Sequence, residues 1–202
     1  LEAATRISLA GSIRRRKETI GDVDILVTSK EPSKVMDFFT HLSEVKRVLA
    51  KGKTKGTVVL SNNLQVDLRV VKEESFGSAL QYLTGSKEHN IRLRELALDK
   101  NWKLSEYGLL DKETNRKIAG ENEGEIYGAL GLSPIDPELR ENRGEIEAAL
   151  HRKLPDLIKY GEIKGDLHVH STWSDGSHSI KEMADAARSL GYEYLAICDH
   201  SR

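Results

Sequence analysis

Gly11-Ser12 stands ten residues before Asp22-Val23-Asp24, and a third aspartate, Asp67, lies 43 residues after Asp24. Carboxylates at i and i+2 of an extended strand project to one face, so Asp22 and Asp24 can serve the same divalent ions. Asp67 alternates with Val66 and Leu68 in a second apolar run. If that run pairs beside the first, three carboxylates share a face, an oxygen-only set that suits Mg2+ or Mn2+ rather than zinc. Two such ions about 4 Å apart can activate an attacking hydroxyl and neutralise a leaving pyrophosphate. Gly11-Ser12 offers backbone N–H groups and a hydroxyl to phosphate, and Arg15 can add a bidentate guanidinium. A lone D-x-D is common, and Arg14-Arg15-Arg16-Lys17 alone is usually a solvated basic loop. Their combination at this spacing points to metal-assisted nucleotidyl transfer.

A second cluster sits near the end, where four of the seven histidines fall in the last 35 residues: His168, His170, His178 and His200. His168 and His170 at i and i+2 of a strand face the same way, a geometry suited to one metal. Asp175-Gly176 follows in a turn, and Asp199-His200 ends the next apolar run. Ligands at the carboxyl ends of successive parallel strands converge on one mouth of an α/β sheet or barrel. His178 reads as a surface residue, Asp199 as an uncertain ligand, and Cys198 as part of the core rather than a ligand.

Elements must position these groups. Residues 1–10 read as a helix end leading into Gly11-Ser12, and Val23–Val27 as a buried strand with Asp22 and Asp24 on its other face. Pro32-Ser33 opens a helix through about Ala50 on the spacing of Val35, Met36, Phe39, Leu42, Val45 and Val48-Leu49. Thr57–Leu60 and Leu64–Val71 read as a hairpin. Residues 75–100 read as two helices broken at Thr84-Gly85-Ser86. Short strands near Trp102–Leu104 and Lys117–Ile118 flank a turn at Lys112–Asn115. Residues 123–150 give a helix, a loop bounded by Pro134 and Pro137, and another helix. Asp166–His170, Ile180–Leu190 and Tyr194–Cys198 form one β-α-β unit.

Composition bounds the function. The 202 residues are 38% hydrophobic and 31% charged. No run approaches the roughly 18 apolar residues of a membrane span. No signal peptide is evident, and the single cysteine excludes an internal disulfide and is compatible with a reducing cytoplasm. The net charge of −1 hides a gradient: residues 1–55 hold twelve Lys/Arg against seven Asp/Glu, and residues 121–147 hold eight acids against two arginines. A basic face beside metal-binding carboxylates suits a polyanionic substrate; the acidic segment does not. The chain starts at Leu1 without methionine and stops at Arg202 just after an apolar run, so it reads as a piece of a longer polypeptide.

Gly11-Ser12-Ile13-Arg14-Arg15 with Gly21-Asp22-Val23-Asp24-Ile25-Leu26 resembles the palm signature of family X DNA polymerases, the DNA polymerase beta group. Gln65-Val66-Asp67-Leu68-Arg69 resembles that family's third-aspartate strand. Tyr82-Leu83-Thr84-Gly85-Ser86-Lys87-Glu88-His89-Asn90 resembles its Y-F-T-G-S nucleotide motif, the most specific of the three. The resemblance implies that Asp22 and Asp24 ligate both metals and Asp67 the one beside the primer 3′-hydroxyl. It implies that Gly11, Ser12 and Arg15 bind the triphosphate, Tyr82 and Gly85 the sugar, Asn90 the base edge, and Arg94 the template strand. Glu106-Tyr107 matches a structural acidic-aromatic pair. Leu83, Lys87 and Gln65 depart from the pattern, at positions that bear on sugar discrimination and nucleotide affinity.

Asp166-Leu167-His168-Val169-His170-Ser171, with Ser174-Asp175-Gly176 and Asp199-His200, resembles the first two motifs of the polymerase and histidinol phosphatase (PHP) domain. That resemblance implies His168, His170, Asp175 and His200 as ligands of Zn2+ or Mn2+, in a site left incomplete and inactive where the chain stops. The expected class is therefore α/β: an α+β nucleotidyltransferase palm with a mixed sheet, followed by the first β-α-β unit of a PHP-type α/β barrel. The expected divisions are palm 1–72, nucleotide-binding or thumb subdomain 73–150, linker 151–165 and the start of a truncated PHP domain at 166–202. The implied activity is a repair-type DNA-directed DNA polymerase acting in the cytoplasm on gapped or primed DNA and dNTPs, with no membrane partner. An exposed edge strand in the last unit invites self-association. The competing readings are a PHP-dependent phosphoesterase and a non-catalytic DNA-binding scaffold, each with a vestigial palm.

Overall fold

The computed structural model describes residues 3–201 and divides into two compact units, Leu1–Leu154 and Pro155–Arg202. The first begins with β1 (Arg6–Leu9), the short helix α1 (Gly11–Arg14), β2 (Asp22–Thr28), α2 (Pro32–Thr40), β3 (Val45–Lys51), β4 (Lys55–Leu60) and β5 (Gln65–Val71). These strands form one sheet in the order β1-β2-β5-β4-β3, with β2 and β5 parallel and every other pair antiparallel. The sheet is mixed, and the class is α/β as expected.

Two expected elements are corrected. The described part of residues 1–10 holds β1, not a helix end; Leu1 and Glu2 lie outside the described residues. Residues 6–9 pair antiparallel with β2, from Arg6 opposite Thr28 to Leu9 opposite Ile25, so tertiary pairing decides the state of a run too short to nucleate a helix. The helix from Pro32 stops at Thr40, where the hydroxyl of Thr40 donates back to the carbonyls of Met36 and Asp37. Val45, Val48 and Leu49, which fit a helical spacing, instead lie in edge strand β3, mostly exposed and paired with β4. β-branched residues tolerate either state, and the neighbouring strand settles it.

After a 3-10 turn at Glu73–Ser75 come α3 (Phe76–Thr84), α4 (Lys87–Asp99), β6 (Trp102–Ser105), β7 (Gly108–Asp111), β8 (Lys117–Ala119), α5 (Glu123–Leu130) and α6 (Glu145–Leu150). The break between α3 and α4 falls at Gly85, whose φ of 72° favours glycine, and the Ser86 hydroxyl caps α4 by accepting from the His89 N–H. β7 escapes a sequence reading because Gly108-Leu109-Leu110-Asp111 opens on glycine and sets two leucines side by side, with no alternation to read. It is the central strand of the three-stranded sheet β6-β7-β8.

Leucine and β-branched residues divide the first unit into three clusters. Val27, Val58, Val66, Leu68 and Val70 meet Val35, Met36 and Phe39 of α2 on one face of the large sheet. Ala10 and Leu26 meet Phe76, Ala79 and Leu80 of α3 on the other. Leu93, Leu109, Ile126, Tyr127 and Ile146 belong to the third, which joins α4, α5, α6 and the small sheet. At its heart His89 and Tyr127 are fully buried, with His89 Nδ1 2.7 Å from Glu145 Oε1 and Nε2 3.0 Å from the Tyr127 hydroxyl. This geometry fits a neutral imidazole that donates from Nδ1 and accepts at Nε2.

The second unit contains β9 (Gly165–Val169), α7 (Ile180–Ser189) and β10 (Tyr194–Ile197), with β9 and β10 parallel. A full capping box of Ser179 and Glu182 starts α7. The expected buried strand through Cys198 is corrected: β10 ends at Ile197 and is only half-buried. Cys198 is also half-buried, its Sγ donating to the Leu167 carbonyl at 3.3 Å, and it belongs to no core cluster. In a two-stranded sheet with one helix, β10 has few layers to bury it.

Burial holds the His89 imidazole below its ordinary value of 6.5, against the opposing pull of Glu145. Below about pH 6.5 the unfolded chain takes up a proton that the folded one refuses, so this contribution to stability is complete above that pH and lost below it. The urea-unfolding free energy, followed by Trp102 fluorescence in a Trp173→Phe background, should fall between about pH 7.5 and about pH 5.5. His89→Gln should flatten that slope; an equally steep slope in the variant would refute the assignment.

Candidate active and metal-binding sites

The parallel pairing of β2 and β5 sets Asp22 opposite Gln65, and Asp24 opposite Asp67. Side chains alternate along each strand, so Asp22, Asp24 and Asp67 stand on one face, all half-buried. Asp24 is the most constrained. Burial raises its carboxyl above the usual range, Asp22 and Asp67 push it further, and Lys55 and Arg15 pull it back. Gly11 explains how its loop comes so near: its φ is +59°, and a Cβ there would collide with the Asp24 carboxylate. The Ala10 N–H ties the same loop to the Asp24 carbonyl at 2.9 Å.

Asp67 is oriented through both of its oxygens. The Thr57 hydroxyl donates to Oδ1, and Gln65 Nε2 donates to Oδ2 at 2.8 Å. Neither partner is charged, so Asp67 is fixed in direction without a cation competing for it. Three like-charged carboxylates with no soft ligand, one of them made more basic by the others, match a hard divalent cation.

The loop that begins at Gly11 is held from α3 and from the acidic segment. Arg14 grips Glu123 through two bonds of 2.8 and 2.6 Å and the Thr84 hydroxyl through a third. Glu123 also accepts from Arg140 at 2.6 Å. Burial raises the Glu123 carboxyl, but the two arginines outweigh it and hold it below the usual range. Arg15 donates from Nε to Glu141 and from Nη1 to the Thr84 carbonyl. Ser12 is half-buried in α1, and its carbonyl accepts from the Lys17 N–H.

The other expected nucleotide contacts line α3 and α4. Gly85 is buried, and a Cβ on it would come within 3.1 Å of Arg15 Nη1, so glycine there keeps room for the guanidinium. Asn90 is buried. Its amide donates to the Tyr82 carbonyl and accepts from Gln81, both at 2.7 Å, which leaves one donor free. Arg94 donates to the Asn90 carbonyl at 3.2 Å and, with Tyr82, Lys103 and Tyr107, lines an open groove of about 430 Å³. Arg69 meets Glu106 at 3.5 Å beside it. Sequence reading missed Thr57, Thr84, Glu123 and Glu141 as partners; the acidity of residues 121–147 was the available signal.

In the second unit the ligand atoms of His170, Asp175 and His200 all lie within 4.8 Å of one another. Among the described residues this is the one cluster of His, Cys, Asp or Glu so tightly gathered; the three strand aspartates share a face without converging this closely. His170 Nδ1 is buried with no hydrogen-bond partner and lies 3.3 Å from Asp175 Oδ1, an orphaned nitrogen that suits a cation. The His170 and His200 rings stack at 4.7 Å. His168 stands beside them, its ring 4.9 Å from that of His170, but exposed and outside the tight group. Asp199 accepts from the Ser171 N–H and hydroxyl and from the Ser174 hydroxyl, so it fixes the loop that carries Asp175. His178 is exposed.

Comparison with known proteins follows the same division. The DNA polymerase beta palm family matches residues 1–94, the DNA polymerase beta thumb family residues 79–141, and the PHP domain family residues 166–202. The DNA polymerase/3′-5′ exonuclease PolX of Bacillus subtilis (strain 168) is 44% identical over 199 residues, which is 98% of this chain and 35% of that protein. This chain thus spans about a third of that relative's length. A repair DNA polymerase X of African swine fever virus (isolate Tick/South Africa/Pretoriuskop Pr4/1996) is 28% identical over 141 residues, 66% of this chain and 80% of the viral protein. In fold, a crystal structure of Leishmania infantum polymerase beta in a ternary P/T complex superposes with a TM-score of 0.58 at 24% identity, covering 67% of each chain.

The crowding of carboxylates has a measurable cost. Asp24→Asn should stabilise the metal-free protein to urea by about 0.5–1 kcal/mol, because it removes one of three mutually repelling charges. The same change should weaken Mn2+ binding, read by electron paramagnetic resonance, by at least about tenfold. A less stable metal-free variant would show that the three charges do not strain the site.

Proposed function

We propose a function from one premise: this chain belongs to the family X DNA polymerases, the DNA polymerase beta group, and carries a PHP segment after its polymerase part. In that reading residues 1–72 are the palm, 73–150 the nucleotide-binding or thumb subdomain, 151–165 a linker, and the PHP domain starts at 166. The reaction is template-directed transfer of a nucleotide from a dNTP to a primer 3′-oxygen in gapped or primed DNA. That oxygen attacks the α phosphorus in line, and pyrophosphate leaves. The observation that carries this reading is the register of Asp24 opposite Asp67, with Asp22 on the same face and Gly11 packed against Asp24.

Asp22, Asp24 and Asp67 would hold two Mg2+ or Mn2+ ions, whose positive charge lowers the pKa of the 3′-hydroxyl and offsets the charge on the leaving pyrophosphate. The chain's own residues do the positioning. Gly11 and Ser12 present N–H groups and a hydroxyl to the β and γ phosphates, and Arg15 adds a guanidinium with N–H groups to spare. Tyr82 and Gly85 flank the sugar, and the spare amide hydrogen of Asn90 faces the base edge. Arg94, in the groove with Lys103, faces the template strand. Asp67, held by Thr57 and Gln65, keeps its orientation when the primer arrives, so little reorganisation accompanies attack. A cytoplasmic location belongs to the same proposal, since DNA and dNTPs are met there. Among the described residues no helix is long and apolar enough to cross a membrane.

The convergence of His170, Asp175 and His200 around the buried His170 Nδ1 supports binding of Zn2+ or Mn2+ by the PHP part, and phosphoester hydrolysis there is the competing reading, set against the expectation of an incomplete site. His168, whose ring lies 4.9 Å from that of His170, would add a further imidazole to that set. One assay separates the two activities. On one-nucleotide-gapped DNA with Mg2+ or Mn2+, Asp67→Ala should reduce primer extension by at least about a hundredfold. Metal-dependent strand hydrolysis that survives Asp67→Ala and is lost in His170→Ala would assign hydrolysis to the second site. Extension unchanged by Asp67→Ala would refute the polymerase reading.

A further inference from the structure

The acidic segment 121–147 suits no polyanionic substrate, yet it lies against the loop proposed to bind one. Four consecutive cations find their partners there. Arg14 pairs with Glu123, Arg15 with Glu141 at 2.9 Å, Arg16 with Glu138 at 2.9 Å, and Lys17 with Glu141 at 3.3 Å. Arg15 has the most direct bearing on chemistry, because its charge is felt at Asp24.

The Arg15 side chain is 14% exposed and that of Glu141 20%, so the pair is largely shielded from water. A guanidinium has five N–H groups. In Arg15, Nε donates to Glu141 Oε1 and Nη1 to the Thr84 carbonyl. Two acceptors from different elements thus fix the guanidinium at Nε and at Nη1, which lie on different edges of its plane, and leave Nη2 without a protein acceptor among the described residues. Lys17 in turn steadies the Glu141 carboxylate. Burial pushes that carboxyl up, but Arg15 and Lys17 together hold it below the usual range.

We propose that Glu141 is a positioning residue for nucleotide binding. It clamps the Nε edge of Arg15 so that Nη2 and the remaining Nη1 hydrogen face the β and γ phosphates of an incoming dNTP. This rests on the reading that Arg15 contacts the triphosphate. An acid that merely competed with phosphate for Arg15 would have the opposite effect on affinity, since removing it would tighten binding. The clamp also gives the acidic segment a role: it orients the cations of the loop, and the substrate meets only the edge they leave free.

Equilibrium titration of the full chain with dATP and Mg2+ tests the clamp. Glu141→Asp keeps the charge but withdraws the acceptor by one methylene, and should weaken dATP binding roughly fivefold. Glu141→Gln keeps the reach and an acceptor oxygen, and should stay within about twofold of the native chain. Arg15→Ala should weaken binding by about tenfold or more, and adding Glu141→Asp to it should change affinity by less than about twofold, since the two act as one unit. Glu138→Gln removes a nearby charge of the same sign and should also stay within about twofold. Both Glu141 variants and Glu138→Gln preserve size closely enough to fold, which thermal unfolding checks. Unchanged or tighter binding in Glu141→Asp, with Arg15→Ala weakened, would overturn the clamp and leave the triphosphate reading standing. An equal loss in Glu138→Gln would reduce the effect to bulk charge and overturn it too. Native affinity in Arg15→Ala would remove the triphosphate reading and the clamp with it.

Discussion

Parallel pairing of β2 with β5 is the constraint on which the first unit depends. It places Asp24 directly opposite Asp67, with Asp22 two residues away on the same face. A sheet that sought only stability would not crowd three carboxylates on one half-buried surface. The cost is visible at Asp24, whose ionised form is disfavoured by burial and by both neighbours. The same strands are anchored beyond the site. Leu26 is fully buried against α3, and Val66, Leu68 and Val70 pack with α2. Apolar packing thus holds the strands in the register that the charges oppose, a local violation tolerated because the surrounding fold over-determines it.

A second constraint joins the basic loop at residues 14–17 to the rest of the unit. Glu123 sits between Arg14 and Arg140, and Arg140 also donates twice to the Ile135 carbonyl. These groups are mostly buried, so losing any one would leave a charge without compensation, the situation in which buried ion pairs matter most. Residues far apart in sequence are therefore bound in one polar cluster beside the loop. The nearby His89–Glu145–Tyr127 chain extends the same principle into the core. Every polar atom there finds a partner, and that fixes how α4, α5 and α6 meet.

Legibility differed between elements for physical reasons. Strands β2 and β5, the break at Gly85, and the β-α-β unit were readable, because each combines a clear period with a turn or capping signal. β1 and β3 were not. Both are edge strands whose residues could equally have been helical, and only pairing with β2 or β4 decides their state. β7 sets two leucines side by side and has no alternation to read. Among site residues, the three aspartates and the glycine-serine turn announced themselves by type and spacing. Thr57, Gln65 and Thr84 did not, since threonine and glutamine carry no signal of which neighbour they will meet. Asn90 was read as a base-edge contact by resemblance alone, and only the fold shows it buried and bonded to Tyr82 and Gln81.

By itself, the amino-acid order determined the chemistry of the donor groups: hard carboxylates in the first unit, imidazoles with a carboxylate in the second, and a basic loop ahead of both. It also determined that Asp22 and Asp24 share a face, because strand geometry is local. Tertiary structure alone decided which ligands converge, drawing His170, Asp175 and His200 together and leaving His168 at the side. It decided as well that the cations of the loop meet Glu123, Glu138 and Glu141, more than a hundred residues away in the chain. Charge composition says that opposite signs exist, but Coulomb attraction is long-ranged and undirected. Which acid faces which arginine follows only once apolar packing has set the distances.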